Sequence, residues 1–220
     1  CFATYFKQKQ FQGDIVVVDI GWNGSMQRYL VELMDILKIP VKMNGCYFGM
    51  RKTLKYTRVY GYLYDPDRME LEPYISFMQG LFESLFLSQE GSTKRYILDG
   101  EKVIPVLNPP EYREVDSEYQ AFKAVQEGAI DFCKEYVVSP ASQLEFYSAK
   151  NYATGLLGFG NYPSLDDVAL FGNFRFYDTN VVWLAKPESL TFYLRHPKCF
   201  VKDFSYSVWK AGFMKRCFKV

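Results

Sequence analysis

Ile15-Val16-Val17-Val18-Asp19-Ile20-Gly21-Trp22-Asn23-Gly24-Ser25-Met26-Gln27 is the stretch that decides how this chain is read. An unbroken apolar run ends on a carboxylate, a loop with two glycines follows, and an amphipathic segment begins at once. The run predicts a strand over 14–19 buried on both faces. Met26, Tyr29, Leu30, Leu33, Met34 and Leu37 predict a helix packed by one face on a sheet, ended by Pro40. A second buried strand is expected over 44–50, which completes a β-α-β unit with a right-handed crossover. Gly45 and Gly49 inside that strand point to close backbone approach or a bulge.

Outward from this unit, 2–12 reads as the end of a helix or a lead-in, and 57–64 as an edge strand stopped by Asp65-Pro66-Asp67. One amphipathic helix is expected after Pro73. The runs 93–98 and 102–107 flank Asp99-Gly100, a hairpin signal. Asn108-Pro109-Pro110 is the strongest internal boundary. Beyond it a long helix over 117–138 carries Phe122, Val125, Ala129, Phe132 and Tyr136 at helical spacing, and Ser164-Leu165-Asp166-Asp167 reads as a helix N-cap. Residues 174–177 and 181–184 read either as short strands or as extended packing segments. The fold class expected is α/β: a Rossmann-like, mostly parallel sheet with flanking helices over 1–110, including a hairpin insertion, then a mainly helical region over 111–220.

Composition narrows the function classes. Lys plus Arg number 26 against 25 for Asp plus Glu, which argues against nucleic acid or a membrane surface as a general partner. Aromatic residues make up 18% of the chain, read as a thick core or, alternatively, as stacking platforms or a surface covered by another domain. Five cysteines, without a CxxC pair, fit a reducing, cytoplasmic setting and act as small apolar fillers. No apolar run approaches the roughly 18 residues of a membrane span. The chain opens on Cys1 and reaches a strand-loop-helix junction within a few residues, so it reads as the later part of a longer polypeptide.

Asp19 is the candidate catalytic carboxylate; in the simpler reading it accepts N–H bonds from Gly21 or Asn23 and closes a turn. Gly21, Gly24 and Ser25 would hold a phosphate through backbone and hydroxyl groups. Asn23 lies in the same loop, and Gln27 in the first helical turn could bond a ligand hydroxyl. Trp22 must either pack beneath a neighbour or offer its face to a ligand. Glu90 and Ser92, with Thr93, are a second group of candidates at the same sheet edge; a polar helix-to-strand connection is the commoner explanation of such residues. No metal ligand set is evident. His196 stands alone, which removes zinc sites and Ser-His-Asp triads. The aromatic-basic stretch 205–219 reads as a terminal helix docked on the core.

The loop lacks the Gly-Lys-Ser/Thr of a P-loop and the GxGxxG of a dinucleotide fold. A haloacid-dehalogenase-type nucleophile needs a second Asp two residues on, where this chain has Gly21. A phosphoribosyltransferase loop offers a looser analogy, with one acid where that family uses two, and Trp22 foreign to it.

At Val18-Asp19-Ile20-Gly21-Trp22-Asn23-Gly24-Ser25-Met26-Gln27 the sequence resembles bacterial proteins encoded among surface-polysaccharide genes. These are described as haloacid-dehalogenase-superfamily hydrolases or glycosyltransferase-associated proteins. Gly45-Cys46-Tyr47-Phe48-Gly49, Leu85-Phe86 to Gly91-Ser92, and Trp209-Lys210-Ala211-Gly212 agree with the resemblance. It implies a domain that follows a hydrolase-like upstream domain of the same polypeptide and acts in building cell-surface glycans. The expected ligand is a phosphorylated or nucleotide-activated sugar, with magnesium as the possible cofactor. The alternatives are an interaction or regulatory module without chemistry, and a phosphoribosyltransferase-like enzyme.

Overall fold

The computed structural model describes residues 1–55, 57–88, 90–110, 116–143, 149–178 and 180–219. The chain is of mixed α/β class and divides into two compact units, residues 1–70 with 88–110, and residues 71–87 with 111–220.

The first unit opens with α1 (Phe2–Gln8), β1 (Gly13–Asp19), α2 (Ser25–Leu37), β2 (Val41–Tyr47) and β3 (Arg58–Gly61). The three strands form a parallel sheet in the order β1-β2-β3, with Asp19 level with Tyr47 and Tyr47 level with Gly61. Helix α2 leaves its last turn at Lys38 in the left-handed region (φ +54°), with Ile39 N–H returning to Met34 O at 3.0 Å. Pro40 then starts the return to the sheet. β4 (Thr93–Asp99) and β5 (Lys102–Leu107) form the expected hairpin, Asp99 opposite Lys102. Phe2 and Tyr5 of α1 pack against Tyr96 of that hairpin, at 4.9 and 4.7 Å between ring centroids.

Two expectations are corrected here. β1 is not buried on both faces, since Val16 is 61% and Val18 83% exposed. Ile15, Val17 and Asp19 share a face with Met43, Gly45 and Tyr47, and α2 covers that face. Val16, Val18, Cys46 and Tyr60 lie on the opposite face, which stays exposed. The apolar run reports a strand suited to two covered faces, of which one is covered among the described residues. On α2, Met26 and Tyr29 point outward, and the buried positions are Gln27 and Met34, with Leu30, Leu33 and Leu37 partly covered. The contact stripe is rotated from the predicted one because Gln27, a polar residue, finds bonding partners on the sheet.

The second unit begins with α3 (Glu72–Ser76) and α4 (Gln79–Phe86). The single helix expected after Pro73 is broken at Phe77-Met78, where Phe77 O accepts from Lys210 N at 3.3 Å. α5 (Asp116–Val138), α6 (Ala149–Asn161) and α7 (Leu165–Phe171) follow, then β6 (Arg175–Asp178) and β7 (Asn180–Trp183) as an antiparallel pair. α8 (Leu190–Arg195), α9 (Pro197–Tyr206) and α10 (Lys210–Phe218) complete it. Ser164 and Asp167 form the capping box that starts α7. Trp209, Phe213, Leu184 and Phe122 anchor one large core, with Trp209 Nε1 donating to Gly160 O at 2.8 Å. The apolar face of α5 is covered at its N-terminal end only; Phe132 and Val138 are 65% and 84% exposed.

The cysteines also depart from expectation. All five are free, but only Cys217 is buried, whereas Cys1, Cys46 and Cys133 are exposed. They are not, as a set, core fillers.

Candidate functional site

Asp19 closes β1, and one of its carboxylate oxygens accepts the N–H of Gly21 at 2.7 Å. The simpler reading of this acid, as the organiser of the turn after the strand, is therefore realised. Its backbone oxygen accepts from Phe48 N at 3.2 Å, which extends the β1-β2 pairing past the last strand residue. Directly across the register lies Tyr47. Burial, and then the negative charge of Asp19, push the Tyr47 phenol up to about 12.

Trp22 turns away from the loop and into its own unit, leaving 5% exposed. It stacks on Tyr64 at 5.9 Å and meets Phe48 edge-on at 5.7 Å. Gly49 lies beneath these rings, where a Cβ would come within 2.5 Å of Tyr64 and 2.9 Å of Trp22. Trp22 O accepts from Arg51 N at 3.2 Å, so 48–51 and the 21–24 loop form one packed corner. The aromatic ring is a wedge in that corner, and it shows no free face to a ligand.

Gln27 is fully buried and looks at the sheet. Its Oε1 accepts from Tyr47 Oη at 2.8 Å, and its Nε2 donates to Thr57 Oγ1 at 2.5 Å and Met43 O at 3.4 Å. The Thr57 hydroxyl itself donates to Met43 O. Space for the amide comes from Gly45, where a Cβ would stand 2.0 Å from Gln27 Oε1. This explains the glycine inside β2 as close approach. Gln27 holds α2 to the sheet, and its complete burial keeps it from an outside ligand.

Of the rest of the loop, Gly24 is buried, and a Cβ there would come within 2.7 Å of Leu54 and 2.9 Å of Met50. Asn23 and Ser25 are exposed, and Asp19 and Gly21 are partly so. Gly24 is the N-cap of α2 at φ +61°, a conformation that suits glycine. The cap makes no side-chain hydrogen bond, and the first turn has no acidic residue. Ser25, a capping candidate by sequence, is the first helical residue instead. An anion-favouring helix end thus stands beside the Asp19 carboxylate.

Glu90 and Ser92 do not join this group. Glu90 is exposed, with its N–H on Ser88 Oγ at 3.1 Å, and Ser92 Oγ accepts from Asn108 Nδ2 at 3.0 Å. Both are bonded within the connection that brackets the hairpin. Tyr47 and Thr57 escaped the sequence reading; the signal for Tyr47 was the pairing of two apolar runs that end together, at Asp19 and Tyr47. Among the described residues no group of three His, Cys, Asp or Glu side chains could hold a metal ion.

The frame of the first unit is thus a small parallel α/β sheet with a strand-loop-helix corner. Compared with family models, curated proteins and solved structures, the chain gives no significant match to any of them.

Proposed function

We propose that the first unit is a Rossmann-like ligand-binding domain of a bacterial surface-polysaccharide biosynthesis protein, and that its β1-loop-α2 corner binds a phosphorylated or nucleotide-activated sugar. The observation that carries this reading is the outward set Asp19, Asn23 and Ser25 around the α2 N-terminus, which has neither an acidic residue nor a side-chain cap. Phosphate would lie at the exposed first turn of α2, at the backbone N–H and hydroxyl of Ser25. Asp19 would accept a sugar hydroxyl with the oxygen not used by Gly21, or bind a magnesium ion that keeps phosphate and water as its other ligands. Any chemistry would be transfer or hydrolysis at the phosphorylated sugar, in the cytoplasm. No described helix is long and apolar enough to cross a membrane.

Calorimetry on the full-length polypeptide tests this, using nucleotide sugars, sugar phosphates and phosphoribosyl pyrophosphate, each with and without magnesium. Saturable binding that Asp19→Ala and Ser25→Ala weaken supports the reading. Binding of phosphoribosyl pyrophosphate alone transfers it to the phosphoribosyltransferase-like alternative, and no binding ends it.

A second reading draws on the uncovered sheet face of Val16, Val18, Cys46 and Tyr60. Parallel sheets are ordinarily covered on both faces, and an upstream domain of the same polypeptide would supply the missing layer. The unit is then an interaction module. Hydrogen exchange distinguishes the two: this reading requires 14–18 to be more strongly protected in the longer polypeptide than in the 220-residue chain.

A further inference from the structure

The second unit carries a cleft of about 400 Å³ to which no sequence motif points, lined by Trp183, Lys186, Lys202, Asp203 and Tyr206 above Phe213. That volume lies within the range of small-molecule sites. Trp183 ends β7, and Lys186 follows it on the connection to α8. Lys202, Asp203 and Tyr206 come from the last turns of α9, where i and i+4 bring positions 202 and 206 to one side.

Three properties separate this cleft from an ordinary surface depression. Trp183 and Tyr206 are 41% and 63% exposed, so two large rings are left out of a core that buries Trp209 completely. Lys186 Nζ lies over the Trp183 ring, 4.0 Å from its centroid, which places a cation on one face of the half-exposed indole. Among the described residues neither Lys186 nor Lys202 forms an ion pair with a carboxylate. The acid of the cleft is bonded to a tyrosine instead: Asp203 accepts from Tyr193 Oη at 2.9 Å, and the Tyr193 oxygen accepts from Glu188 N at 2.9 Å. Burial pushes the Tyr193 phenol up to about 12, so it remains the donor at neutral pH and keeps Asp203 in place.

Two ammonium groups attract a phosphate, an exposed indole stacks a ring, and an oriented carboxylate accepts hydroxyls. We propose that this cleft binds a small phosphate ester whose ring lies on Trp183, whose phosphate is held by Lys186 and Lys202, and whose hydroxyl bonds Asp203. The class includes nucleoside monophosphates and sugar phosphates, which share that chemistry. The site shares no residue with the β1-α2 corner and does not depend on the function proposed there.

The experiment is a titration of the whole chain with uridine monophosphate, glucose 1-phosphate and inorganic phosphate, followed by calorimetry and by acrylamide quenching of tryptophan fluorescence. Of the three tryptophans, Trp22 and Trp209 are 5% and 0% exposed, so quenching reports on Trp183. One of the two esters should bind saturably and shield Trp183. The one that binds more tightly identifies the ligand as nucleotide or sugar phosphate. Lys186→Ala with Lys202→Ala should weaken the binding that shields Trp183 at least tenfold. Both lysines are exposed, so the variant keeps the fold, which circular dichroism checks. The proposal is overturned if neither ester binds, if inorganic phosphate binds as tightly as both, or if the double variant binds like the parent. Ester binding that leaves the quenching of Trp183 unchanged also overturns it and places the binding elsewhere in the chain.

Discussion

Tyr47 Oη donates to Gln27 Oε1 at 2.8 Å, and through this bond the middle strand of the sheet grips the helix that covers it. Gln27 passes the connection to Thr57 and Met43, so one buried amide joins α2, β2 and the segment leading to β3. A residue that reads as a ligand contact is the internal fastening of the corner.

Replacing that amide should therefore cost folding stability first. Gln27→Ala leaves the buried Tyr47 hydroxyl without its acceptor, and a loss of about 1–3 kcal/mol is expected. Gly45→Ala should also destabilise, because its methyl group meets Gln27 Oε1. Combined, the two changes should cost less than their sum, since the new methyl enters the vacated space. Urea midpoints of the single and double variants measure this.

Trp22 is expected to behave as a core residue. Trp22→Ala should lower stability by about 3–5 kcal/mol, the usual cost of removing a buried large aromatic ring, while Trp22→Phe costs less by keeping a ring against Tyr64. Ligand affinity at the corner, measured on Trp22→Phe under folded conditions, should stay within about threefold of the parent, under 1 kcal/mol.

In the second unit, Arg175 reaches Glu118 with two nitrogens, Nε at 3.1 Å and Nη2 at 3.0 Å to the same oxygen, and Glu118 is 3% exposed. Glu118→Ala removes these charge-assisted bonds from a largely buried guanidinium and should cost about 3 kcal/mol. Replacing both residues by Leu and Met should recover much of that loss. Thermal unfolding of the three proteins provides the comparison.

Alkaline pH should unfold the chain through its buried phenols. Tyr47 and Tyr193 are pushed up to about 12 from an ordinary 10.0, in both cases mainly by burial. In the unfolded chain both ionise near the ordinary value, so between these limits the unfolded state sheds protons that the folded state keeps. Their contribution is complete below pH 10 and is lost as pH rises towards 12, by up to about 3 kcal/mol for each phenol. Denaturation curves across that window should flatten in Tyr47→Phe and Tyr193→Phe, and each substitution should remove one late-ionising tyrosine from the phenolate absorbance titration.

Local patterns carried much of the architecture. The apolar run to Asp19, the spacing of α2, Asp99-Gly100 and the Ser164 cap each act within a few residues, and each element formed where those patterns lie. Burial was less legible, because it depends on which layer arrives from elsewhere: Val16 and Val18 have the composition of a doubly covered strand and lie open. The candidate site divided along the same line. Asp19 and Gly21 are bonded neighbours in sequence, and their turn could be read directly. Trp22 and Gln27 took their roles from Tyr64, Tyr47 and Thr57, partners about 20 to 40 positions away that no spacing rule connects. The cleft at Trp183 and Lys202 lay beyond motif reading altogether, since its parts meet only once β7 and α9 are folded.

The bare face of the three-stranded sheet sets the colloidal behaviour of the chain. Val16 and Val18 sit on β1, an edge strand with no partner strand on its outer side among the described residues. An apolar edge of that kind invites self-association, and the chain carries a net charge of only +1 to oppose it. Light scattering should rise with protein concentration and with ammonium sulfate, which strengthens apolar burial. A lysine at position 18 would place a charge in the middle of that face and should keep the chain dispersed at concentrations where the parent precipitates.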